Sequence, residues 1–370
     1  MSNNKTVLVI GTGTIGEPLI GLLARRKSDL GIDRVIFHKR TPLDYEVAKV
    51  NSLVNQGADL AVNSGLEEAF KKLGHKPKLT FDEALQLSSV VIDCTPAGNE
   101  NKEIHYYDIA YADGLGTKSP LFVAQGSEKG FGTPYAYGLN DEVLHGNALT
   151  KANEKFIQVV SCNTHAIGRL ISTLTSDKPD RLVSGDFVCI RRSNDTSQDD
   201  GFTPSPTCGN HTDETFGTHH ARDVSDLFET VTGKALNLRS SAMKVNSQYM
   251  HVVRFTITLN EEMSAEEVTH RFKDDKFVTL TKHKTANKVF SFGRDHGFYG
   301  RIYNHVVVCQ PSVSVFPRGS HKGSVVTGFA FTPQDGNSLL SSVVTALYGV
   351  HQEKYVDYLD VLEMLLQDEV

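Results

Sequence analysis

This sequence lacks several features that would place it in a specialised class of proteins. Its five cysteines include no closely spaced Cys-x-x-Cys pair, so we expect neither a zinc site nor a disulfide framework. No apolar run is long enough to span a bilayer. A net charge of -6 leaves no cationic surplus that would attract nucleic acid or an anionic membrane. The cysteine usage and the lack of a leader before the first predicted strand favour a cytoplasmic location.

The remaining composition is that of an ordinary globular protein. Hydrophobic residues make up 39% of the chain and charged residues 22%, and we find no internal repeat or low-complexity tract. A length of 370 residues exceeds one ordinary hydrophobic core, which predicts two domains.

A glycine-rich turn separates a β-branched apolar run at residues 6–10 from an apolar-periodic helix. The turn reads Gly11-Thr12-Gly13-Thr14-Ile15-Gly16. In a strand–turn–helix unit, Gly11 permits the tight turn, Gly13 lets the backbone approach a pyrophosphate, and Gly16 lets the helix pack on the strand. The spacing predicts a dinucleotide site; a merely structural turn is the alternative.

The second predicted strand, residues 34–37, is followed by His38-Lys39-Arg40-Thr41. NAD-selective sites usually carry a carboxylate at this point, which holds the ribose hydroxyls. Cations and a hydroxyl favour a 2′-phosphate instead. Lys39, Arg40 and Thr41 are therefore candidate ligands of NADP, with NAD also usable, and an ordinary basic loop is the alternative.

Further buried strands are predicted at 88–94 and 121–124, and they lead into Thr95-Pro96 and Gln125-Gly126. Strand ends at the carboxyl edge of a parallel sheet face the cofactor crevice. Strands and helices alternate up to about residue 160, which predicts an α/β domain with a doubly wound parallel sheet of the Rossmann type.

A short apolar strand at 156–160 ends in Ser161-Cys162-Asn163-Thr164, a polar corner that opens an apolar-faced helix. We expect Cys162 at the positive end of a helix dipole, where a thiol loses its proton more easily and becomes a nucleophile. The alternative is a buried structural cysteine. We adopt that interpretation for Cys94, Cys189, Cys208 and Cys309.

Beyond this helix the pattern changes to several β runs with few helices. Strands are predicted at 187–192, 250–259, 306–308 and 325–330, and helices from Val224, at 338–347 and at 355–366. This indicates an α+β domain with a mainly antiparallel sheet. Arg191-Arg192 and His219-His220 are candidate anion holders, since forked guanidinium groups suit phosphate. The alternatives are a solvated arginine pair, or a metal site at the histidines, for which no third ligand stands at a convincing spacing.

With these residues placed, the chain resembles the archaeal-type (type II) glyceraldehyde-3-phosphate dehydrogenase family. The matching segments lie in the family's order over nearly the whole length. They are the glycine turn, Lys39-Arg40-Thr41-Pro42, Gly57-Ala58-Asp59-Leu60, Val91-Ile92-Asp93-Cys94-Thr95-Pro96, Gln125-Gly126, Val159-Val160-Ser161-Cys162-Asn163-Thr164, Arg191-Arg192, His219-His220, Met250-His251 and Val350-His351-Gln352-Glu353. Ser-Cys-Asn-Thr after a valine strand is specific to this family and its relatives.

The resemblance implies a dinucleotide-binding domain at 1–161 and 338–370 and a catalytic domain at 162–337. It implies a homotetramer that uses NADP or NAD in glycolysis or gluconeogenesis. The implied cofactor residues are Gly11, Gly13, Thr14, Ile15, Gly16, Lys39, Arg40, Thr41, Thr95, Pro96, Gly126 and Gln352. The implied substrate residues are Ser161, Asn163, Thr164, Arg191, Arg192, His219 and His220.

The implied chemistry has Cys162 attack the aldehyde of a phosphorylated substrate. Hydride transfer leaves a thioester, which inorganic phosphate releases as an acyl phosphate. His251 matches the family's base, and the backbone N–H of Cys162 can hold the oxyanion. His165 replaces a family threonine and could be a spectator, a second base or a phosphate contact. A dehydrogenase for another phosphorylated or acidic semialdehyde, and a non-catalytic cofactor-binding relative, are the alternative functions.

Overall fold

The structure, a computed structural model, describes residues 5–112, 119–126, 128–146 and 155–370. It contains two sheets, and the first is wholly parallel. Its strands are β1 (Thr6–Ile10), β2 (Arg34–His38), β3 (Asp59–Val62), β4 (Leu79–Thr80), β5 (Val90–Asp93), β6 (Leu121–Gln125), β7 (Thr133–Tyr135) and β8 (Phe156–Val159). They lie in the order β4-β3-β2-β1-β5-β6-β8-β7, so the winding reverses between β1 and β5. Open parallel sheets bind ligands at such a point, beside the carboxyl ends of the strands.

Helices cover both faces of this sheet, which is why its strands are apolar throughout. They include α1 (Gly16–Arg26), α2 (Val47–Asn55), α3 (Glu67–Lys72), α4 (Phe81–Leu87), α5 (Gly98–Asn101) and α6 (Tyr107–Ala110), with 3₁₀ turns at Asp44–Glu46 and Asp141–Val143 and a π-helical turn at Lys102–Tyr106. Val7 of β1 packs with Leu19 of α1 in the core on one face. Leu8, which points the other way, packs with Leu85 of α4.

The second sheet is mixed and mainly antiparallel. Its strands are β9 (Leu182–Arg191), β10 (Thr207–Cys208), β11 (Leu238–Lys244), β12 (His251–Leu259), β13 (Val278–Thr281), β14 (Val306–Cys309), β15 (Ser314–Pro317) and β16 (Ser324–Thr332). The order is β10-β11-β9-β12-β16-β14-β13, with β15 also paired to β16. Among the described strand pairs of this second sheet, only β9 with β11 and β13 with β14 run parallel. The predicted fold class, a Rossmann-type sheet plus an α+β unit, is confirmed.

Four helices accompany this second sheet: α7 (Cys162–Thr175), α8 (His219–Thr232), α9 (Ala265–Asp274) and α10 (Ala286–His296), with 3₁₀ turns at Pro179–Arg181 and Gln310–Ser312. Ile167 and Leu170 of α7 share a core with Val253 and Phe255 of β12. Burial alternates residue by residue along β12, so one face of this strand meets the helices. Cys162, as the first residue of α7, therefore lies where the second sheet meets the first.

A long apolar helix, α11 (Leu339–His351), returns to the first sheet and joins its core. Gly349 permits close contact there, because a Cβ would lie 2.3 Å from Val90 Cγ2 at the start of β5. The single helix predicted at 355–366 is instead a 3₁₀ segment, Gln352–Tyr358, followed by α12 (Asp360–Glu363). Tyr358 stacks on His351 at 4.1 Å, which holds the tighter coil. None of the described helices has the length and apolar character that a membrane crossing requires.

Candidate active site

The glycine turn between β1 and α1 has the close packing that its spacing predicts. Gly11 has a φ of 91°, and a Cβ at Gly16 would lie 2.1 Å from the Gly11 carbonyl oxygen. Above Gly13, in contrast, a Cβ would meet nothing within 4 Å. Ile15 provides no side-chain cap for α1. A backbone cradle of this shape at a helix N-terminus fits a pyrophosphate.

A carboxylate lies at the end of β2, although the run from His38 to Thr41 contains none. It belongs to Glu46. Lys39 forms an ion pair with Glu46, which reaches back from a 3₁₀ turn, and Lys49 contacts the same carboxylate at 2.7 Å. Burial opposes ionisation of Glu46, but its bonds to the two lysines lower its pKa overall, so the carboxylate is charged. Lys39 is therefore largely neutralised, whereas Arg40 and Thr41 are exposed.

Thr95, Pro96 and Gly126 follow β5 and β6 on the same edge of the sheet as the glycine turn. Thr95 donates its backbone N–H and its hydroxyl to Asp93 at 2.9 and 2.6 Å. A Cβ at Gly11 would lie 3.0 Å from the Thr95 methyl group. The structure thus brings these predicted cofactor residues to one crevice at the reversal point.

Gln352 does not share this crevice. It follows α11 near the amino edge of the sheet, and its amide donates to the Tyr348 and Gly349 carbonyls at 3.3 Å each. The adjacent His351 lies 2.8 Å from the Leu30 carbonyl oxygen, beyond the far end of α1. A cofactor role for Gln352 within this chain is therefore not supported by its position.

Cys162 occupies the first turn of α7, as the polar corner predicts. Ser161 is the cap and accepts the Thr164 N–H at 3.3 Å, while their hydroxyls lie 2.9 Å apart. Burial nevertheless raises the pKa of the Cys162 thiol to about 11, although Arg192, the Asn163 N–H and Arg191 pull it down. In the chain by itself, desolvation of this half-buried thiol outweighs the helix terminus and the cations, which is opposite to the expected ease of deprotonation.

His251 begins β12, and its buried ring receives a hydrogen bond from the main chain. The Arg192 backbone N–H donates to Nδ1 at 2.9 Å. Burial, with Arg192 and Arg191, holds the pKa of His251 well below its ordinary value, so the ring is neutral. Because Nδ1 accepts, the single ring proton resides on Nε2. His251 therefore presents an N–H donor, and the base role implied by the resemblance does not fit this tautomer.

The turn between β16 and α11 fixes three members of this group, and sequence reasoning missed it. Gln334 accepts the His251 backbone N–H at 2.8 Å, and its amide nitrogen lies 3.3 Å from Nε2 of the ring. Asp335 contacts the Arg192 guanidinium at 3.1 Å. Asn337 donates to the Cys162 carbonyl oxygen at 2.9 Å. Thr332-Pro333-Gln334-Asp335-Gly336-Asn337 carries only an ordinary turn signal, so these contacts could not be read from it.

The two adjacent arginines have different environments. Arg192 is 3% exposed and held by Asp335 and Asp195, while its Nε and Nη1 have no hydrogen-bond partner in the described structure. Arg191 is half-buried, and its guanidinium has no ion-pair partner among the described residues. Arg191 is therefore the available anion holder of the two, and Arg192 is a fixed cation beside Cys162.

The paired histidines lie inside α8, five residues before the predicted start at Val224. The reason is a distant cap: Ser240 of β11 accepts the Ala221 N–H at 3.0 Å and lies 2.7 Å from the Thr218 hydroxyl. His220 is buried and His219 is exposed, and burial with nearby Arg191 lowers the pKa of His219. No group of three or more possible metal ligands occurs in the described ranges.

His165 is a structural residue one turn beyond Cys162. Its Nδ1–H donates to the Ser161 carbonyl oxygen at 3.0 Å, and Nε2 accepts from the Ser341 hydroxyl at 2.8 Å. Ser341 in turn accepts the Tyr137 N–H at 3.0 Å. Burial lowers the pKa of His165 to about 4. With both nitrogens engaged, this ring joins α7 to α11 and has no free lone pair for a proton.

Comparison with known proteins gives one family model and several similar enzymes. A model of the glyceraldehyde 3-phosphate dehydrogenase C-terminal domain matches residues 161–296. Glyceraldehyde-3-phosphate dehydrogenase 2 of Methanosarcina barkeri is 27% identical over 79% of this chain and 78% of its own length. The enzyme of that name from Pyrobaculum neutrophilum is 27% identical over 94% and 88%, and that from Pyrococcus furiosus is 24% identical over 82% and 83%.

The chain is a relative of the archaeal-type glyceraldehyde-3-phosphate dehydrogenases. This kinship implies an oxidoreductase that acts on an aldehyde with a nicotinamide cofactor. The matched C-terminal segment begins at the Ser161 cap and includes Cys162 and His251, whereas it ends before the turn that holds Gln334 and Asp335.

We expect alkylation of Cys162 by iodoacetamide to depend steeply on pH in this dehydrogenase relative without cofactor. Because burial sets the thiol pKa at about 11, the thiolate fraction should rise about tenfold per pH unit up to about pH 10. Mass spectrometry of the Cys162 peptide after timed quenching measures the rate. Cys208 serves as an internal reference, because it lies exposed on the short strand β10 and the expectation that it is buried is wrong. A plateau near pH 8 would show that the thiol is already activated.

Proposed function

We propose that the chain is a phosphorylating glyceraldehyde-3-phosphate dehydrogenase whose nucleophile is Cys162. The observation that carries this proposal is one turn of chain that fixes a cysteine at a helix N-terminus, a histidine N–H donor and a buried arginine. Kinship supports the reaction class, and the geometry supports the assignment of roles.

The reaction would begin when the Cys162 thiolate adds to the aldehyde carbon. A C–S bond forms while the carbonyl π electrons move to oxygen, which gives a thiohemiacetal alkoxide. The Nε2–H of His251 and the backbone N–H of Cys162 can stabilise this oxyanion. A bound nicotinamide supplies the hydride acceptor, and a thioester remains on Cys162. The proton that the Cys162 thiol loses before the attack would go to solvent. An alkoxide formed from the resulting thiolate carries no hydroxyl proton, so the hydride transfer itself needs no base.

Phosphorolysis would complete the reaction at the same carbon. An oxygen of inorganic phosphate attacks the thioester, the same donors hold the second oxyanion, and departure of the Cys162 thiolate releases the acyl phosphate. Arg191 and His219 are the candidate anion contacts, since both are accessible and close enough for Arg191 to affect the pKa of His219.

The cofactor would be NADP or NAD, held by the glycine turn with Thr95, Pro96 and Gly126. Gly11, Gly13 and Gly16 provide the cradle, and Thr14 and Ile15 open α1. Lys39, Arg40 and Thr41 lie where a 2′-phosphate would bind, with Glu46 competing for Lys39. We expect NADP to be preferred or both to be used. The homotetramer, the cytoplasmic location and the two domain ranges are part of the same proposal.

A second candidate substrate is an acidic semialdehyde. Arg191 is the accessible guanidinium of the pair, and a planar guanidinium binds a carboxylate as readily as a phosphate. The family comparisons favour the phosphorylated aldehyde. A non-catalytic, cofactor-binding relative would bind the dinucleotide but show no turnover.

Turnover with glyceraldehyde 3-phosphate, inorganic phosphate and either NAD or NADP tests the proposal. We expect acyl phosphate to form in step with reduced cofactor, and Cys162→Ser to lower turnover roughly a thousandfold or more, because a hydroxyl is a far weaker nucleophile than a thiolate. Cys309→Ser, at a buried cysteine of the second sheet, is the matched control. Equal activity of Cys162→Ser and the parent chain would remove Cys162 from the reaction, and turnover only with acidic semialdehydes would favour the second candidate.

His251→Gln and His251→Ala separate a donor role from a base role. A glutamine amide can place an N–H near the position of Nε2 but cannot accept a proton, so we expect His251→Gln to retain more than about a tenth of the turnover. His251→Ala should lose roughly 10²–10³-fold, the usual value of one oxyanion donor. Single-turnover formation of reduced cofactor measures both. Equal, severe losses in the two variants would restore the base role.

Glu46→Gln tests whether the segment after β2 distinguishes NADP from NAD. Removing this carboxylate frees Lys39 for a 2′-phosphate, so NADP should bind about tenfold more tightly while NAD changes little. Asp44→Asn, on the same 3₁₀ turn but exposed, is the matched control. Isothermal titration with both dinucleotides gives the dissociation constants. Parallel changes for NAD and NADP would show that this segment does not distinguish them.

A further inference from the structure

A loop that follows β9 reaches across from the second sheet to the glycine turn of the first. The Thr14 hydroxyl lies 3.2 Å from Oδ2 of Asp195 and 2.9 Å from the Ser197 hydroxyl. Asp195 and Thr14 are 181 positions apart in the chain. The contact places a carboxylate beside the turn that fits a pyrophosphate, where a second negative charge is unfavourable.

The same carboxylate also binds the cation beside Cys162. Oδ1 of Asp195 contacts Nη2 of Arg192, which Asp335 contacts from the other side at 3.1 Å. Arg192 is therefore shared between two carboxylates. The two carboxylates together carry more negative charge than the one positive charge of Arg192. They therefore weaken the effect by which Arg192 favours the Cys162 thiolate.

We propose that Asp195 is a positioning residue that couples occupancy of the glycine turn to the reactivity of the Cys162 thiol. The inference rests on the proposed function, because it requires a dinucleotide at that turn. A pyrophosphate beside Thr14 repels the Asp195 carboxylate and competes for the same hydroxyl. The loop then moves away from the glycine turn, and the ion pair between Asp195 and Arg192 weakens as a result.

The consequence for Cys162 follows from charge. The charged and titratable groups that affect or adjoin it are Arg191, Arg192 and Cys189 of the β9 segment, Asp335 of the turn after β16, and neutral His251. Withdrawing Asp195 leaves two arginines against one carboxylate. A more positive surrounding favours the thiolate, so the thiol reacts at lower pH once the dinucleotide is bound.

The experiment measures dinucleotide affinity and the alkylation rate of Cys162 in three chains. They are the parent chain, Asp195→Asn, and Asp199→Asn as a matched control at an exposed aspartate of the same loop. NADP and NAD are the probes, binding is followed by calorimetry, and alkylation is followed by mass spectrometry from about pH 6 to pH 10 with and without dinucleotide.

In the parent chain and in Asp199→Asn, we expect dinucleotide to accelerate alkylation severalfold and to move its pH profile to lower pH. In Asp195→Asn, alkylation without dinucleotide should already be about three- to tenfold faster, added dinucleotide should accelerate it little further, and the dinucleotide should bind more tightly. A merely structural tether would change stability and leave these pH profiles alone. If Asp195→Asn fails to fold, Thr14→Val breaks the same contact from the other side and should also accelerate alkylation in the free chain.

Three results would overturn the inference, two of which leave the proposed function intact. Tight dinucleotide binding without any change in alkylation of the parent chain, or an Asp195→Asn profile equal to the parent profile, would remove the coupling and leave the proposed function intact. Failure of the parent chain to bind NADP or NAD would overturn the proposed function, and the inference with it.

Discussion

The chemistry of this site depends on one hydrogen bond, from the backbone N–H of Arg192 to Nδ1 of His251. It forms because Arg192 directly follows β9 and His251 begins β12, and these strands pair antiparallel with Val252 opposite Ile190. A slip of one residue would turn the histidine to the other face of the sheet. The bond fixes the ring as an Nε2–H donor, and it places the guanidinium of the same arginine near the nucleophile. The register between β9 and β12 therefore determines which ring nitrogen of His251 carries the proton.

Burial raises the pKa of the Cys162 thiol and the nearby positive charges lower it, so the relative sizes of the two effects decide the outcome. A helix N-terminus contributes about 0.3–1 kcal/mol at exposed positions and up to ~2 kcal/mol when partly buried, which corresponds to about one pKa unit. Desolvation can shift a pKa by up to several units, and it is the larger effect here although Cys162 keeps some exposure to solvent. The thiol pKa of about 11 reflects that imbalance, even with Arg192 and Arg191 nearby. A competent nucleophile therefore requires a change in the charges around it.

Features encoded by neighbouring residues could be predicted from the sequence. The glycine turn, the Cys162 corner and the reversal from parallel to mainly antiparallel pairing each depend on a few consecutive residues, and the structure contains all three. Features that depend on folding could not be predicted. Glu46 meets Lys39 only after a 3₁₀ turn reverses the chain, and Ser240 caps α8 from another strand. The raised pKa of Cys162 and the tautomer of His251 could not be predicted for the same reason, since burial and main-chain hydrogen bonds are properties of the packed structure.

The connection between the two sheets combines a fixed contact with a displaceable one. The turn that holds Cys162 and His251 continues directly into α11, and the Ser341 hydroxyl of that helix bonds His165 of α7. Moving α11 would therefore disturb the nucleophile, so this side of the connection is rigid. The contact of Asp195 with Thr14 joins two half-buried polar side chains that belong to neither hydrophobic core, so it can be broken without unpacking a core. The coupling that we propose between the cofactor crevice and the thiol therefore uses a contact that can open while the turn between β16 and α11 stays in place.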